Sequence, residues 1–181
     1  MSRNKFTING FIGAGILPYA YDPYKGLVFL LGLENKGTDK TRNGLYSDFG
    51  GGRDDNESPK ETAFREFVEE TMNAFGDDIK YSLNNPTLLY INKNSYHEYL
   101  IKIDYNKHIS DTFNRIMKKM ELCMTYKKYK NHKNLTIQTC PTGLVEKTEF
   151  RWFTSNEIIT NKDKIRPVFY KTFVGIINTL T

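Results

Sequence analysis

Apolar and aromatic positions dominate residues 7–20 and 26–34, glycines punctuate both runs, and the turn-forming stretch 21–25 separates them. Two strands joined by a tight turn are predicted. Residues 35–43 are polar and read as loop. A short strand around 45–49 runs into Gly50-Gly51-Gly52, and two more follow at 88–92 and 96–103, the latter alternating through Tyr96-His97-Glu98-Tyr99-Leu100-Ile101. Residues 148–153 give a last strand. Helical spacing starts at about Ser58, returns over 109–122 through Phe113, Ile116, Met117 and Met120, and marks a short stretch at 155–159. A terminal helix over 167–180 turns Phe169, Phe173, Ile176 and Ile177 inward. Beyond Leu122 the helical pattern gives way to a lysine- and tyrosine-rich stretch ending near Asn134. Strands on both sides of a central helix, with more helices late in the chain, predict an α/β fold: a mixed sheet sandwiched by helices. At 181 residues, with no repeat and no linker-like break, residues 1–181 are expected to form a single domain.

The central helix opens on Ser58-Pro59-Lys60-Glu61, in which Ser58 is placed to cap, Pro59 suits the first helical position and Glu61 can reach back as the capping-box acid. At roughly 100° per residue, Ala63, Phe64, Phe67, Val68, Thr71, Met72 and Phe75 form one broad face, with Glu66, Glu69 and Glu70 together on the other side. Carboxylates at i, i+3 and i+4 repel one another, by about 0.2–0.5 kcal/mol per pair on an exposed helix. Two readings of them are open. They form an ordinary solvated face, or a divalent cation compensates them, with Glu57 a fourth acid just before the helix. Oxygen ligands of this kind favour Mg²⁺, Mn²⁺ or Ca²⁺.

The flanking spacing weighs on that choice. Gly51, five residues, Glu57, seven residues, then Arg65-Glu66-Phe67-Val68-Glu69-Glu70 resembles the Nudix box, Gly-x5-Glu-x7-Arg-Glu-apolar-x-Glu-Glu-x-Gly-apolar, at seven of its nine fixed positions over residues 51–73. A chance match of that kind somewhere in the chain has a probability on the order of one in a million. The sequence thus resembles the Nudix hydrolases. Met72 stands where the family has glycine and Asn73 where it has an apolar residue. Both lie beyond the carboxylates, and the helix is expected to run on to Gly76 as its left-handed cap. Asn56 replaces a glycine that often precedes the first box glutamate, and asparagine tolerates a left-handed backbone.

The resemblance implies a Nudix-type α/β/α sandwich and metal-dependent hydrolysis of a nucleoside diphosphate linked to another group, with Mg²⁺ or Mn²⁺ as cofactor. Carried over by position, Glu66, Glu69 and Glu70 are the metal-ligand or base carboxylates. The Gly51 carbonyl adds a ligand, Glu57 binds metal through water or holds the loop, and Arg65 orients the glutamates. The base varies in this family and sometimes lies outside the box. Glu146 is the favoured candidate here, with Glu149 and Glu98 as alternatives that read equally as strand-surface charges. Tyr90, 17 residues beyond the box, matches a position at which dinucleoside-polyphosphate hydrolases can carry tyrosine.

Charge refines the picture of the substrate. The net charge is +5, yet residues 115–134 carry seven basic side chains against one acid, and residues 51–73 carry three against seven. Within the basic stretch, a candidate insertion, Lys127, Lys128 and Lys130 interleave with Tyr126 and Tyr129. It reads either as a solvated loop or as a track for a polyanion such as RNA. Capped RNA, nucleoside triphosphates, dinucleoside polyphosphates, nucleotide sugars and diphosphoinositol polyphosphates all remain as substrate classes. The rival class of function is a Nudix-fold module that binds RNA or a nucleotide without turnover. Cys123 and Cys140 lack metal or disulfide spacing, and Gly10-Phe11-Ile12-Gly13-Ala14-Gly15 has the wrong order for a dinucleotide loop. No secretory signal and no apolar run of membrane-spanning length is read, so a cytoplasmic, membrane-free protein is expected.

Overall fold

In the computed structural model, residues 10–35, 44–76, 78–131 and 146–180 are described, those of 121–131 by backbone alone. Strand β1 (Gly13–Asp22) is flanked on both edges. Strand β6 (Tyr96–Lys102) runs parallel to it from Gly13 through Tyr19. The opposite edge is shared: β4 (Phe49–Gly52) pairs with its first half and β2 (Gly26–Glu34) with its second, both antiparallel. β2 divides its own edge in the same way between β1 and the two-residue β3 (Tyr46–Ser47), and its far edge carries β7 (Lys147–Thr154). β5 (Leu88–Ile91) completes a mixed seven-stranded sheet beside β6.

Helices cover both faces, so β1 and β2 are buried nearly end to end and their apolar runs need no alternation. On one face lie α1 (Pro59–Thr71), α2 (Asp78–Asn84) and α3 (Ile109–Asn131). Ala14, Ile16, Leu30 and Phe49 meet Phe67 and Phe113 there, with Phe49 set edge-on to Phe67 and to Phe150. On the other face, α4 (Ser155–Thr160) and α5 (Pro167–Leu180) pack Ile158, Phe169, Phe173 and Ile176 over Leu17, Phe29, Leu31 and Leu100. The expected single-domain α/β/α sandwich is observed.

Three local expectations change. α1 ends at Thr71 rather than Gly76, because Met72 itself takes the left-handed conformation (φ 52°) and its N–H returns to the Glu69 carbonyl. Asn73 follows at φ 53°. The chain therefore turns at the position the family pattern assigns to glycine, although no glycine is there. α2 lacks a long apolar periodicity and was not predicted; Ile79 and Leu83 anchor it. The helical backbone of α3 also continues through the lysine-rich stretch to Asn131 instead of dissolving after Leu122. Asn56 takes φ 68°, as its side chain allows. Among the described residues, no helix is long and apolar enough to cross a membrane.

The start of α1 is as the sequence predicts: the Glu61 N–H donates to Ser58 Oγ (3.3 Å) and the Ser58 N–H to Glu61 Oε2 (2.8 Å). Ser58→Ala removes that acceptor and is expected to lower stability by about 1 kcal/mol, measurable as a lower urea midpoint with unchanged slope.

Candidate active site

Arg65 gathers the acids at the mouth of the sheet. Its Nε and one terminal nitrogen grip Glu57 at 2.7 and 3.1 Å, and that same terminal nitrogen donates to the Gly52 carbonyl at 2.9 Å. The other terminal nitrogen donates to both Glu66 Oε1 (2.9 Å) and Glu69 Oε2 (3.1 Å). A single guanidinium thus ties the loop carboxylate, two helix carboxylates and the end of β4 together. Glu57 also accepts from Thr62 Oγ1 and from the Asp54 N–H, and these bonds, that with Arg65 foremost, hold its carboxyl down at about 2. The bonds from Glu57 and Glu66 push Arg65 the other way, further into its charged form.

The helix does not segregate its glutamates on a solvent face, which corrects the expectation from periodicity. Glu66 and Glu70 are buried with Ala63 and Phe67, and only Glu69 is exposed. Glu66 reaches the sheet because Gly51, whose register partner Ala14 belongs to the α1-side core, offers no side chain; a Cβ on Gly51 would overlap the Glu66 carboxylate. Burial raises the Glu66 carboxyl, the Arg65 bond opposes that, and the charges of Glu146 and Glu69 add to it. Glu70 turns further inward, 3% exposed, where Oε2 accepts the Gly50 N–H (2.9 Å) and Oε1 faces Lys147 Nζ (3.4 Å). Burial pushes Glu70 well up against the pull of Lys147. Glu146 is near enough for its charge to act on both Glu66 and Glu70.

On the other side of β4 a cleft of about 240 Å³ opens between the sheet and α5, lined in part by Asp48, Gly50, Gly51, Gly52, Asn92, Tyr96, Glu98, Arg166 and Thr172. Tyr96 runs past Gly13 so that its hydroxyl lies over Gly15 and Gly50, where any Cβ would collide with it, and that hydroxyl donates to Asp48 Oδ2 (3.2 Å). Glu98 is fully buried, and neither of its oxygens receives a hydrogen bond from a protein donor. Burial, reinforced by the adjoining Asp48, raises it well above the ordinary carboxylate range, so the two acceptors are compatible when Glu98 carries the proton between them.

The remaining candidates are placed apart from this cluster. Glu149 accepts from Tyr46 Oη (2.8 Å). Tyr90 packs on α5 with its hydroxyl over Gly175 and does not line the cleft. Lys127, Lys128 and Lys130 fall on the helical backbone of α3, and their side chains lie outside the described residues. Sequence reasoning missed Lys147, Glu34, Asp48 and Arg166. One signal was available: Glu34 ends an otherwise apolar strand, and a buried acid there demands a buried cation on a neighbouring strand.

The donors suit a hard divalent cation. Glu66 and Glu69 converge on one Arg65 nitrogen, and the side-chain-free Gly51 keeps the strand open beside Glu66. Among the described residues, no three acidic, histidine or cysteine side chains stand in ligating geometry. Arg65 is the counter-charge to Glu66 and Glu69, and Glu70 is turned toward Lys147.

No family model matches this sequence, nor does any curated protein. Solved structures do. A bifunctional NMN adenylyltransferase/ADP ribose pyrophosphatase from Francisella tularensis, solved with AMP and a manganese ion, aligns with TM-score 0.54 and 12% identity over 94% of this chain and 41% of its own. The Nudix domain of Shewanella oneidensis NrtR, solved with ADP ribose, aligns over all of both chains with TM-score 0.52 and 12% identity. A C. elegans Ap4A hydrolase binary complex gives TM-score 0.50 and 14% identity over 93% of this chain and 97% of its own. The fold of this chain is the Nudix fold.

The grip of Arg65 on Glu57 makes stability depend on pH in the metal-free protein. Because the folded carboxyl lies at about 2 against an ordinary 4.5, its contribution is complete above the unfolded value and is lost as pH falls through the folded one. Arg65→Met is expected to be less stable at neutral pH and to lose less stability between those two pH values than the parent, as urea melts across that window would register.

Proposed function

We propose that this protein is a divalent-metal-dependent Nudix hydrolase that cleaves a pyrophosphate bond in a nucleoside diphosphate linked to a further group, by attack of water on phosphorus. The observation that carries this reading is the Arg65 clamp, which fastens Glu57, Glu66 and Glu69 beside the bare Gly51 strand at the spacing of the Nudix box. Glu66 and Glu69, with the Gly51 carbonyl, would hold Mg²⁺ or Mn²⁺. When bound, such an ion neutralises the oxygens of the polyanionic substrate and acidifies water. Arg65 fixes both carboxylates so that little reorganisation accompanies loading. Glu57, held by Arg65 and Thr62, keeps the loop in register with β4.

Glu146 is the proposed proton acceptor. It directly precedes β7, its charge acts on both Glu66 and Glu70, and Glu149 is taken up by Tyr46. The nucleoside would enter the cleft beyond Gly50–Gly52, where Asn92 and Thr172 present polar groups and Phe169 an apolar surface. Two of the similar proteins were solved with AMP or ADP ribose, which supports a nucleotide substrate. Lys127, Lys128 and Lys130 on the extended α3 would add affinity for a longer polyanion such as capped RNA. Tyr90 is given no substrate contact.

A panel of capped RNA, nucleoside triphosphates, dinucleoside polyphosphates, ADP-ribose and a diphosphoinositol polyphosphate, assayed with Mg²⁺ or Mn²⁺, tests the reading. Glu69→Gln should reduce cleavage of whichever member is turned over to background while leaving the circular dichroism unchanged; undiminished turnover would overturn the assignment. Tight, salt-sensitive RNA binding with no hydrolysis of any member would mark a binding module instead.

Glu146→Gln should lower kcat roughly 100- to 10,000-fold with little change in KM, the range expected when a general base is lost. A normal kcat in that variant would remove Glu146 from the role.

A further inference from the structure

Lys147 is 1% exposed, and the proposed chemistry gives it no part. Its ammonium lies 2.9 Å from Glu34 Oε1, 2.6 Å from Ser47 Oγ and 3.4 Å from Glu70 Oε1. Burial opposes its charge, and Glu70, Glu34 and Asp48 outweigh that opposition. The setting is built for it. An irregularity in the β2–β7 register between Leu33 and Glu34 places Glu34 opposite Lys147, where an even ladder from Leu33↔Glu149 would have offered Thr148. Gly32 leaves room for the lysine stem, which a Cβ there would displace.

The consequence falls on Glu70. With the Gly50 N–H on Oε2 and the ammonium facing Oε1, both of its oxygens already face protein donors. Glu66 and Glu69 each give one oxygen to Arg65, and among the described residues the second oxygen of each receives no hydrogen bond. Resting on the reading that the box binds divalent cations, we propose that the Lys147 ammonium is a resident cation that stands in for a divalent ion at Glu70, so that metal loads through Glu66 and Glu69 as the box carboxylates, with the Gly51 carbonyl, and not through Glu70. Lys147 is in this sense a positioning residue. It sets how many ions the site accepts and holds Glu70 against the end of β4.

Counting tightly bound Mn²⁺ by electron paramagnetic resonance of the free ion tests this without any assay of turnover. Lys147→Met, and the charge-balanced pair Lys147→Met with Glu34→Gln, should each bind one more Mn²⁺ per chain than the parent. Mn²⁺ should also raise the Tm of the variants more than that of the parent. In the otherwise native protein, Glu70→Gln should leave the count unchanged while Glu69→Gln lowers it, a comparison that does not require the lysine variants to fold. Equal counts in parent and folded lysine variants, or a lower count in Glu70→Gln, overturn the proposal while leaving the hydrolase reading in place. Absence of Mn²⁺ binding by every protein in the set overturns both.

Discussion

Strand β4 works because it has almost no side chains. Glu66 fills the space over Gly51 on the α1 face, and the Tyr96 hydroxyl fills the space over Gly50 on the α5 face. The strand is thereby reduced to a ribbon of peptide groups with acids stationed on both sides of it. A side chain at Gly51 would push Glu66 away and hold α1 off the sheet, whereas one at Gly50 would displace Tyr96 on the opposite face. The pairing of Gly13, Ala14 and Gly15 with Gly52, Gly51 and Gly50 extends the same thinness to the neighbouring strand. Glycine in a strand ordinarily weakens it. Here the two helical layers and β1 hold the ribbon, and its thinness is what makes the site.

Much of this was legible in the sequence, and the reasons are local. The capping box at Ser58, the left-handed Asn56, the β1–β2 hairpin and the terminal helix follow from short-range chemistry, and the Arg65 contacts stay within the box, at most 13 positions apart. The parts that escaped depend on long-range packing. Lys147 and Glu34 are far apart in the chain, and only the shifted ladder between their strands reveals them as a pair. The burial of Glu66 and Glu70 did not follow from the helical projection, which set them opposite the apolar face, because a projection cannot know that the facing strand is made of glycine. The end of α1 was misjudged for a similar reason: Met72 adopts a left-handed backbone while its side chain packs on the core, and that contact stabilises a conformation its chemistry alone disfavours.

The charged groups form two compartments on either side of Glu70. Outward, Arg65 balances Glu57, Glu66 and Glu69 in partly accessible surroundings. Inward, Lys147 balances Glu34 and Glu70, with Arg166 3.7 Å from Glu34 at the edge of the cleft. Buried ion pairs of this kind are weak contributors to stability but damaging to break, because each partner left alone carries its full desolvation penalty. The inner compartment is therefore a rigid boundary for the outer one. Asp48 and Glu98 add acids on the cleft side, where burial and the neighbouring Asp48 raise Glu98 well above the ordinary carboxylate range.

α1 itself contributes to the field in which these groups sit. Glu57 and Glu61 lie at its amino end, where the aligned peptide dipoles favour negative charge, but Glu69 and Glu70 lie in its last turn, where those dipoles disfavour it and no basic residue intervenes. The helix thus carries at its carboxyl end a negative pole that no basic residue of its own last turn offsets, and the counter-charges to Glu69 and Glu70 come from Arg65 one turn earlier and from Lys147 on β7. A cation bound there under the proposed reading would interact with the backbone as well as with the side chains, and binding to the folded state alone would stabilise that state. On the proposed metal-dependent reading, ion uptake would accordingly favour the final turn of α1. The left-handed exit at Met72 sits at that same pole, so the turn following the helix would share in the energetics of such loading without contributing a ligand.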